Sequence, residues 1–132
     1  MALIPCVMND FQKRIRQFAD ERNWHQFHNP KDLLLGIVEE VGEIRNIVKW
    51  EQDKETLRKV LLANKEELED NIGDMYWFMA LLANGADVNI DAAIDKVIRK
   101  NETRFPVKKV KSQHTNLYLG GTDGQYDKQQ PL

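Results

Sequence analysis

Glu40 and Glu43 stand three residues apart in Val38-Glu39-Glu40-Val41-Gly42-Glu43-Ile44, and Asn71 and Asp74 stand three apart in Asn71-Ile72-Gly73-Asp74-Met75. Residues three or four apart share one face of an α-helix, so each segment offers a pair of side-chain donors to one side. Two such helices facing each other make a cluster of oxygen ligands, which selects a hard cation such as Mg²⁺. A lone E-x-x-E is most often a solvated helix face. Here Glu40 and Glu43 are interleaved with Ile37, Val41 and Ile44, and Asp74 is set among Ile72, Met75, Trp77 and Phe78. Carboxylates beside an apolar stripe are costly unless paired, and the bases at hand are few, Arg45 and Lys49, so a cation is the natural counter-charge.

The elements that must position these groups read as helices. A first helix starts at Asn9 or Asp10, with Gln12 as capping partner of Asn9, carries Phe11, Ile15 and Phe18 on one stripe, and ends near Arg22 to Trp24. Asn29-Pro30 is an N-cap followed by proline at the first helical position. It opens a long helix with the stripe Leu33, Ile37, Val41, Ile44 and Val48, which carries the first acid pair. After the polar run Glu51 to Glu55, a third helix from about Thr56 to Ala83 carries the second pair. Its buried candidates are Leu57, Val60, Leu61, Leu68, Ile72, Met75, Met79 and Leu82. Asn84-Gly85 supplies a stop, and Asn89 or Asp91 caps a fourth helix through Ile94, Val97 and Ile98 that ends before Pro106. With no β-type alternation of useful length, the expectation is an all-α four-helix bundle over residues 1–111, followed by a C-terminal arm or disordered tail over residues 112–132.

Composition excludes several classes. The chain has 132 residues, 42% hydrophobic and 30% charged, with a formal charge of −2, which suits one globular domain and argues against a nucleic-acid or membrane partner. Cys6 is the single cysteine, so no intrachain disulfide can form. The run Ala2 to Met8 lacks the basic flank of a secretory signal, and no apolar stretch approaches the roughly 20 residues of a membrane span. A soluble, cytoplasmic protein is expected. His25, His28 and His114 show no metal spacing, and His28, just before a helix cap, reads as a local hydrogen-bonding residue.

The chain resembles the MazG-like all-α nucleoside triphosphate pyrophosphohydrolases, most nearly their dCTP pyrophosphatase branch. The resemblance covers residues 11–111. It rests on Phe18-Ala19-Asp20-Glu21-Arg22-Asn23-Trp24, Gln26-Phe27-His28-Asn29-Pro30, Leu33-Leu34-Leu35, Glu40-Val41-Gly42-Glu43, Trp50, Gly73-Asp74 and Lys100-Asn101-Glu102-Thr103-Arg104-Phe105-Pro106-Val107. It implies Glu40, Glu43, Asn71 and Asp74 as ligands of Mg²⁺, or of Mn²⁺ in its place, with Glu39 or Glu43 activating the water. Glu39 is the weaker candidate, because it points about 100° round the helix from Glu40. The resemblance further implies Trp24 and Trp50 at the base, Phe78 beneath the sugar, and Lys100, Asn101, Arg104 and, more loosely, Lys31 at the phosphates. Lys100 is equally explained as a cation at a helix C-terminus. Trp77 is assigned to the core. The implied reaction turns a dNTP, dCTP or a related pyrimidine analogue, into dNMP and pyrophosphate as nucleotide-pool house-cleaning. The implied assembly is a homotetramer built as a dimer of dimers, or a dimer.

One position departs from the family pattern E-x-x-E … E-x-x-D. Asn71 stands where the third acid is expected, in the register set by the distance from Asp74 to Asn101 and Arg104; Glu67 and Asp70 give a register shifted by one helical turn. An amide carbonyl can ligate Mg²⁺ but brings less charge. The alternative expectation is therefore a catalytically weakened or inactive nucleotide-binding helical module.

Overall fold

The structure, a computed structural model, describes residues 9–112, and these divide between two compact units, Met1–Asp91 and Ala92–Leu132. Cys6, His114 and the expected arm beyond Ser112 lie outside the described residues. In the first unit the Asn9 side chain caps α1 (Asp10–Glu21) by accepting from the Gln12 N–H at 2.7 Å. The chain leaves α1 through Asn23, left-handed at φ 51°, and makes a 3-10 turn over Trp24–Phe27. Asn29 then caps α2 (Pro30–Val48), accepting from the Asp32 N–H at 2.9 Å, with Pro30 at the first helical position. That proline costs α2 nothing, since its missing N–H is one of the donors a helix start leaves unpaired.

The single helix expected from about Thr56 to Ala83 is two helices, α3 (Lys54–Ala63) and α4 (Lys65–Gly85), separated at Asn64. Asn64 lies at φ −114° and ψ 34°, and its Nδ2 donates to the Val60 carbonyl at 2.8 Å. A short amide side chain competes for the backbone in this way, which is why asparagine favours helix ends. The expected stop at Asn84-Gly85 is displaced as well. Both residues belong to α4, and the left-handed residue that ends it is Asp87 at φ 54°. α5 (Ile90–Arg104) follows Asn89, and the second unit contains, among its described residues, the rest of α5 and α6 (Val107–Val110).

The core of the first unit is Ile15, Ala19, Leu33, Ala80, Leu81, Ala83 and Ile90, with Tyr76, Trp77, Phe78 and Leu82 packed against it. The principal helix pair is α2 with α4. Their close approach needs Gly36, because a Cβ there would lie 2.9 Å from the Phe78 ring. Gln12 partners the Asn9 cap through its backbone N–H as expected, while its side chain is fully buried and acts as a bridge. Its Nε2 donates to Asn84 Oδ1 at 3.0 Å and to the Val88 carbonyl at 2.7 Å, its Oε1 accepts from the Ile90 N–H at 3.0 Å, and Asn84 Nδ2 donates to the Gln12 carbonyl at 3.3 Å. Every polar atom of that side chain is thus satisfied, as burial requires.

Several residues assigned to the apolar stripes are exposed: Phe11 mostly, and Val41, Ile72 and Met79 about half, in the first unit, and Ile94, Val97 and Ile98 about half in the second. The helical period was legible from the sequence, but the apolar stripes are wider than one copy of the chain covers.

Candidate metal and nucleotide site

The facing turns of α2 and α4 bring the two half-sites together. Asn71 is 3% exposed, and with its amide nitrogen turned toward α2 it donates to Glu43 Oε2 at 2.8 Å and to Glu40 Oε2 at 3.2 Å. The Glu40 carboxyl is held above its ordinary value, chiefly by burial and then by the charges of Glu43, Asp74 and Glu39. Asp74 therefore lies within electrostatic reach of Glu40 from the opposite helix. No three His, Cys, Asp or Glu side chains among the described residues converge as a ready metal cluster. The third group in contact with Glu40 and Glu43 is an amide.

That donor set fits a small hard cation. Neighbouring oxygen ligands on Mg²⁺ are about 3 Å apart, the spacing at which the Asn71 amide meets the two carboxylates. Rotating the amide exchanges nitrogen for oxygen. With the nitrogen inward, Asn71 neutralises part of the acid repulsion; with the oxygen inward, three oxygens face one point.

The aromatic candidates are dispersed over the first unit. Trp24 is 40% exposed and meets Phe18 edge-on at 5.4 Å and His28 at 6.2 Å between ring centres. Trp50 is 82% exposed and carries the Arg45 guanidinium 4.8 Å from its ring centre. Phe78 packs over Gly36 on the inner side of α4, and Trp77, expected in the core, is partly buried against it and meets Phe18 edge-on at 5.0 Å. His28 is not the local hydrogen-bonding side chain expected: its Nδ1 is buried without a hydrogen-bond partner among the described residues. Burial first, and His25 second, hold its pKa below the usual imidazole value. Beside these, an open groove of about 650 Å³ between α1 and α4 is lined by Phe11, Ile15, Phe18, Ile72, Tyr76 and Trp77, among others.

Among the basic candidates, Lys31 is exposed on the first turn of α2. Lys100, Asn101 and Arg104 belong to the second unit, where their spacing along α5 places them on one face. The Phe105 N–H donates to the Asn101 carbonyl at 2.8 Å as that helix ends. Two features were missed from sequence: the Gln12–Asn84 bridge and the stacking of Arg45 on Trp50. No local pattern announces either, since the first joins residues 72 apart and the second spans a helix end.

By class this is an all-α protein in which two carboxylates of α2, the partly buried Glu40 and the exposed Glu43, are held opposite a buried amide of α4 by a pair of packed helices. The profile of the MazG nucleotide pyrophosphohydrolase domain matches residues 28–108, and the chain belongs to that family. It is 31% identical to rat dCTP pyrophosphatase 1 over 102 residues, 76% of this chain and 60% of the rat protein. It is 29% identical to the human dCTP pyrophosphatase 1 over 107 residues, 80% of this chain and 63% of that one. The chain thus matches about three-fifths of the length of these relatives. A crystal structure of a pyrophosphatase from Archaeoglobus fulgidus superposes with a TM-score of 0.66 at 31% identity, covering 74% of this chain and 90% of that one.

Proposed function

We propose that the protein is a Mg²⁺-dependent pyrophosphohydrolase that converts a deoxynucleoside triphosphate, dCTP or a related pyrimidine analogue, to dNMP and pyrophosphate in nucleotide-pool house-cleaning. The observation that carries this is the convergence of Glu40, Glu43 and Asn71, with Asp74 in electrostatic reach, inside a MazG domain. Glu40, Glu43, Asp74 and the Asn71 carbonyl would hold the cation. Bound there, Mg²⁺ neutralises phosphate charge and stabilises the departing pyrophosphate.

The chain's own residues supply the rest. Oxygen of a water bonds to the α-phosphorus, the bond from that phosphorus to the bridging oxygen breaks, and the water's proton passes to a carboxylate oxygen of Glu43 or Glu39. Trp24 and Trp50 offer indole planes to the base, and Phe78 supports the sugar from beneath. Stacking supplies affinity and hydrogen bonds to the base edge supply choice. By the family resemblance, Lys31 in the first unit and Lys100, Asn101 and Arg104 in the second are the phosphate-binding candidates, the planar fork of Arg being suited to two oxygens. The exposed apolar stripes support self-association as a dimer or a tetramer built from dimers. The alternative of an inactive binding module draws no support from the relatives, since the rat, human and Archaeoglobus proteins are each named as pyrophosphatases.

The direct test is pyrophosphate release from each dNTP with and without Mg²⁺. Turnover with dCTP that vanishes in EDTA is expected, and absence of turnover with any dNTP overturns the reading. Asp74→Ala is expected to abolish Mg²⁺-dependent nucleotide binding in calorimetry, and wild-type binding by that variant would reject the site.

A further inference from the structure

Trp50 is displayed on a turn whose backbone disfavours the residue that makes it. Lys49 has φ 47° and ψ −118°, and the Glu51 N–H donates to the Val48 carbonyl at 3.1 Å. Those values define a type II′ turn with Lys49 at its first central position, where glycine dominates because a Cβ is strained there. The same turn closes α2, with the Lys49 N–H donating to the Arg45 carbonyl at 2.7 Å. Trp50, at the second central position, is swung clear of the helix and left 82% exposed.

An exposed indole on a loop would ordinarily sample several rotamers. Here the Arg45 guanidinium carbon lies 4.8 Å from the ring centre, within the range of a cation–π contact. Arg45 is about 140° round the helix from Glu40 and about 160° from Glu43, so it stands off the acid face and is not placed among the cation's ligands. Its charge is used on the indole. The contact covers one face of the ring, and the high exposure of Trp50 leaves the other open.

We propose that Arg45 is a positioning residue: it clamps the Trp50 indole on the Lys49–Trp50 turn as a one-sided platform for the nucleotide base. This rests on the assignment of Trp50 to base stacking. The clamp acts before the ligand arrives. Ordering a rotamer-rich side chain on binding costs affinity, and a ring already held in place avoids that loss, an advantage of about 3- to 10-fold in affinity. Phosphate binding gains nothing from it.

The test compares two ligands, both with Mg²⁺: the non-hydrolysable α,β-imido analogue of dCTP, and inorganic tripolyphosphate, which has no base. Arg45→Met, which keeps a long apolar stem, is expected to weaken the nucleotide analogue about 3- to 10-fold and to leave tripolyphosphate unchanged. In a Trp50→Ala background the same substitution is expected to have no further effect. Equal loss for both ligands, no loss for either, or a loss that persists without Trp50 overturns the clamp. Tighter nucleotide binding by Arg45→Met also overturns it, since the guanidinium would then be occupying the face the base needs. If Trp50→Ala alone leaves nucleotide binding unchanged, the base-stacking assignment itself fails; if it weakens binding and Arg45→Met does not, the clamp alone fails.

Discussion

Asn71 is the residue on which the chemistry turns. A carboxylate at this position would add a fourth negative charge, beside Asp74 and opposite Glu40 and Glu43, whereas the amide can donate to the two α2 acids. The two states of the amide have opposite consequences. In the absence of a cation, donation by Nδ2 holds Glu40 and Glu43 together and relieves part of the repulsion that, after burial, raises the Glu40 carboxyl. In its presence, the carbonyl supplies a neutral oxygen in place of a charged one. Asn71→Glu is therefore expected to raise Mg²⁺ affinity by about 10-fold, as removal or addition of a well-placed group at a metal site does, and to raise turnover with it. The same variant should melt at a lower temperature than the wild type in EDTA and gain more from added Mg²⁺. Calorimetric titration and thermal melts check both, and unchanged affinity would exclude Asn71 from the ligand set.

At the scale of the elements, helix ends decide where the acids lie. Asp53 caps α3, its Oδ2 accepting from the Thr56 N–H at 2.9 Å and from the Thr56 hydroxyl at 2.8 Å. Those hydrogen bonds, the backbone one foremost, hold the Asp53 carboxyl below its ordinary value of 3.8. The folded state thus favours the ionised form. The cap contributes stability above that value, and the contribution is lost as pH falls through the lower folded value. Asp53→Ala is accordingly expected to lower the melting temperature at pH 7, with the difference from wild type closing as both are titrated into strong acid. A difference that stays constant across that range would mean that the charge of Asp53 plays no part. Gln12 is the tie between α1 and the end of α4. Gln12→Ala would leave Asn84 Oδ1, the Val88 carbonyl and the Ile90 N–H short of a partner in a buried place, and a loss of about 2–3 kcal/mol is expected in denaturant titration. A loss below about 0.5 kcal/mol, the ordinary surface value, would show that solvent satisfies those groups at no cost.

For the whole molecule, the small core is the governing fact. Seven buried apolar residues, three of them alanine, serve the described residues, while Phe11, Leu34, Leu35, Val38, Ile72 and others remain exposed. In the dimer or tetramer proposed above, apolar helix faces left open by one copy would be covered by another. Light scattering at micromolar concentration is expected to give the mass of two or four chains, and a monomer would leave these faces without a purpose in the assembly proposed here. No helix among the described residues is long and apolar enough to cross a membrane.

What the sequence determined alone was the helical class, the caps at Asn9 and Asn29, and the pairing of Glu40 with Glu43 and of Asn71 with Asp74. These are legible because capping and shared helix faces depend on residues three or four apart. The break at Asn64 escaped such reading, since the choice between propagating a helix and bonding a side chain to it rests on small local differences that packing tips. Only the tertiary structure decided which way the pairs face, that Asn71 touches both α2 acids, that the Gln12 side chain locks α1 to the end of α4, and that Arg45 lies on Trp50. Each of these joins side chains across separate helices or around a helix end, where packing and the demand that buried polar groups find partners, not spacing along the chain, set the geometry.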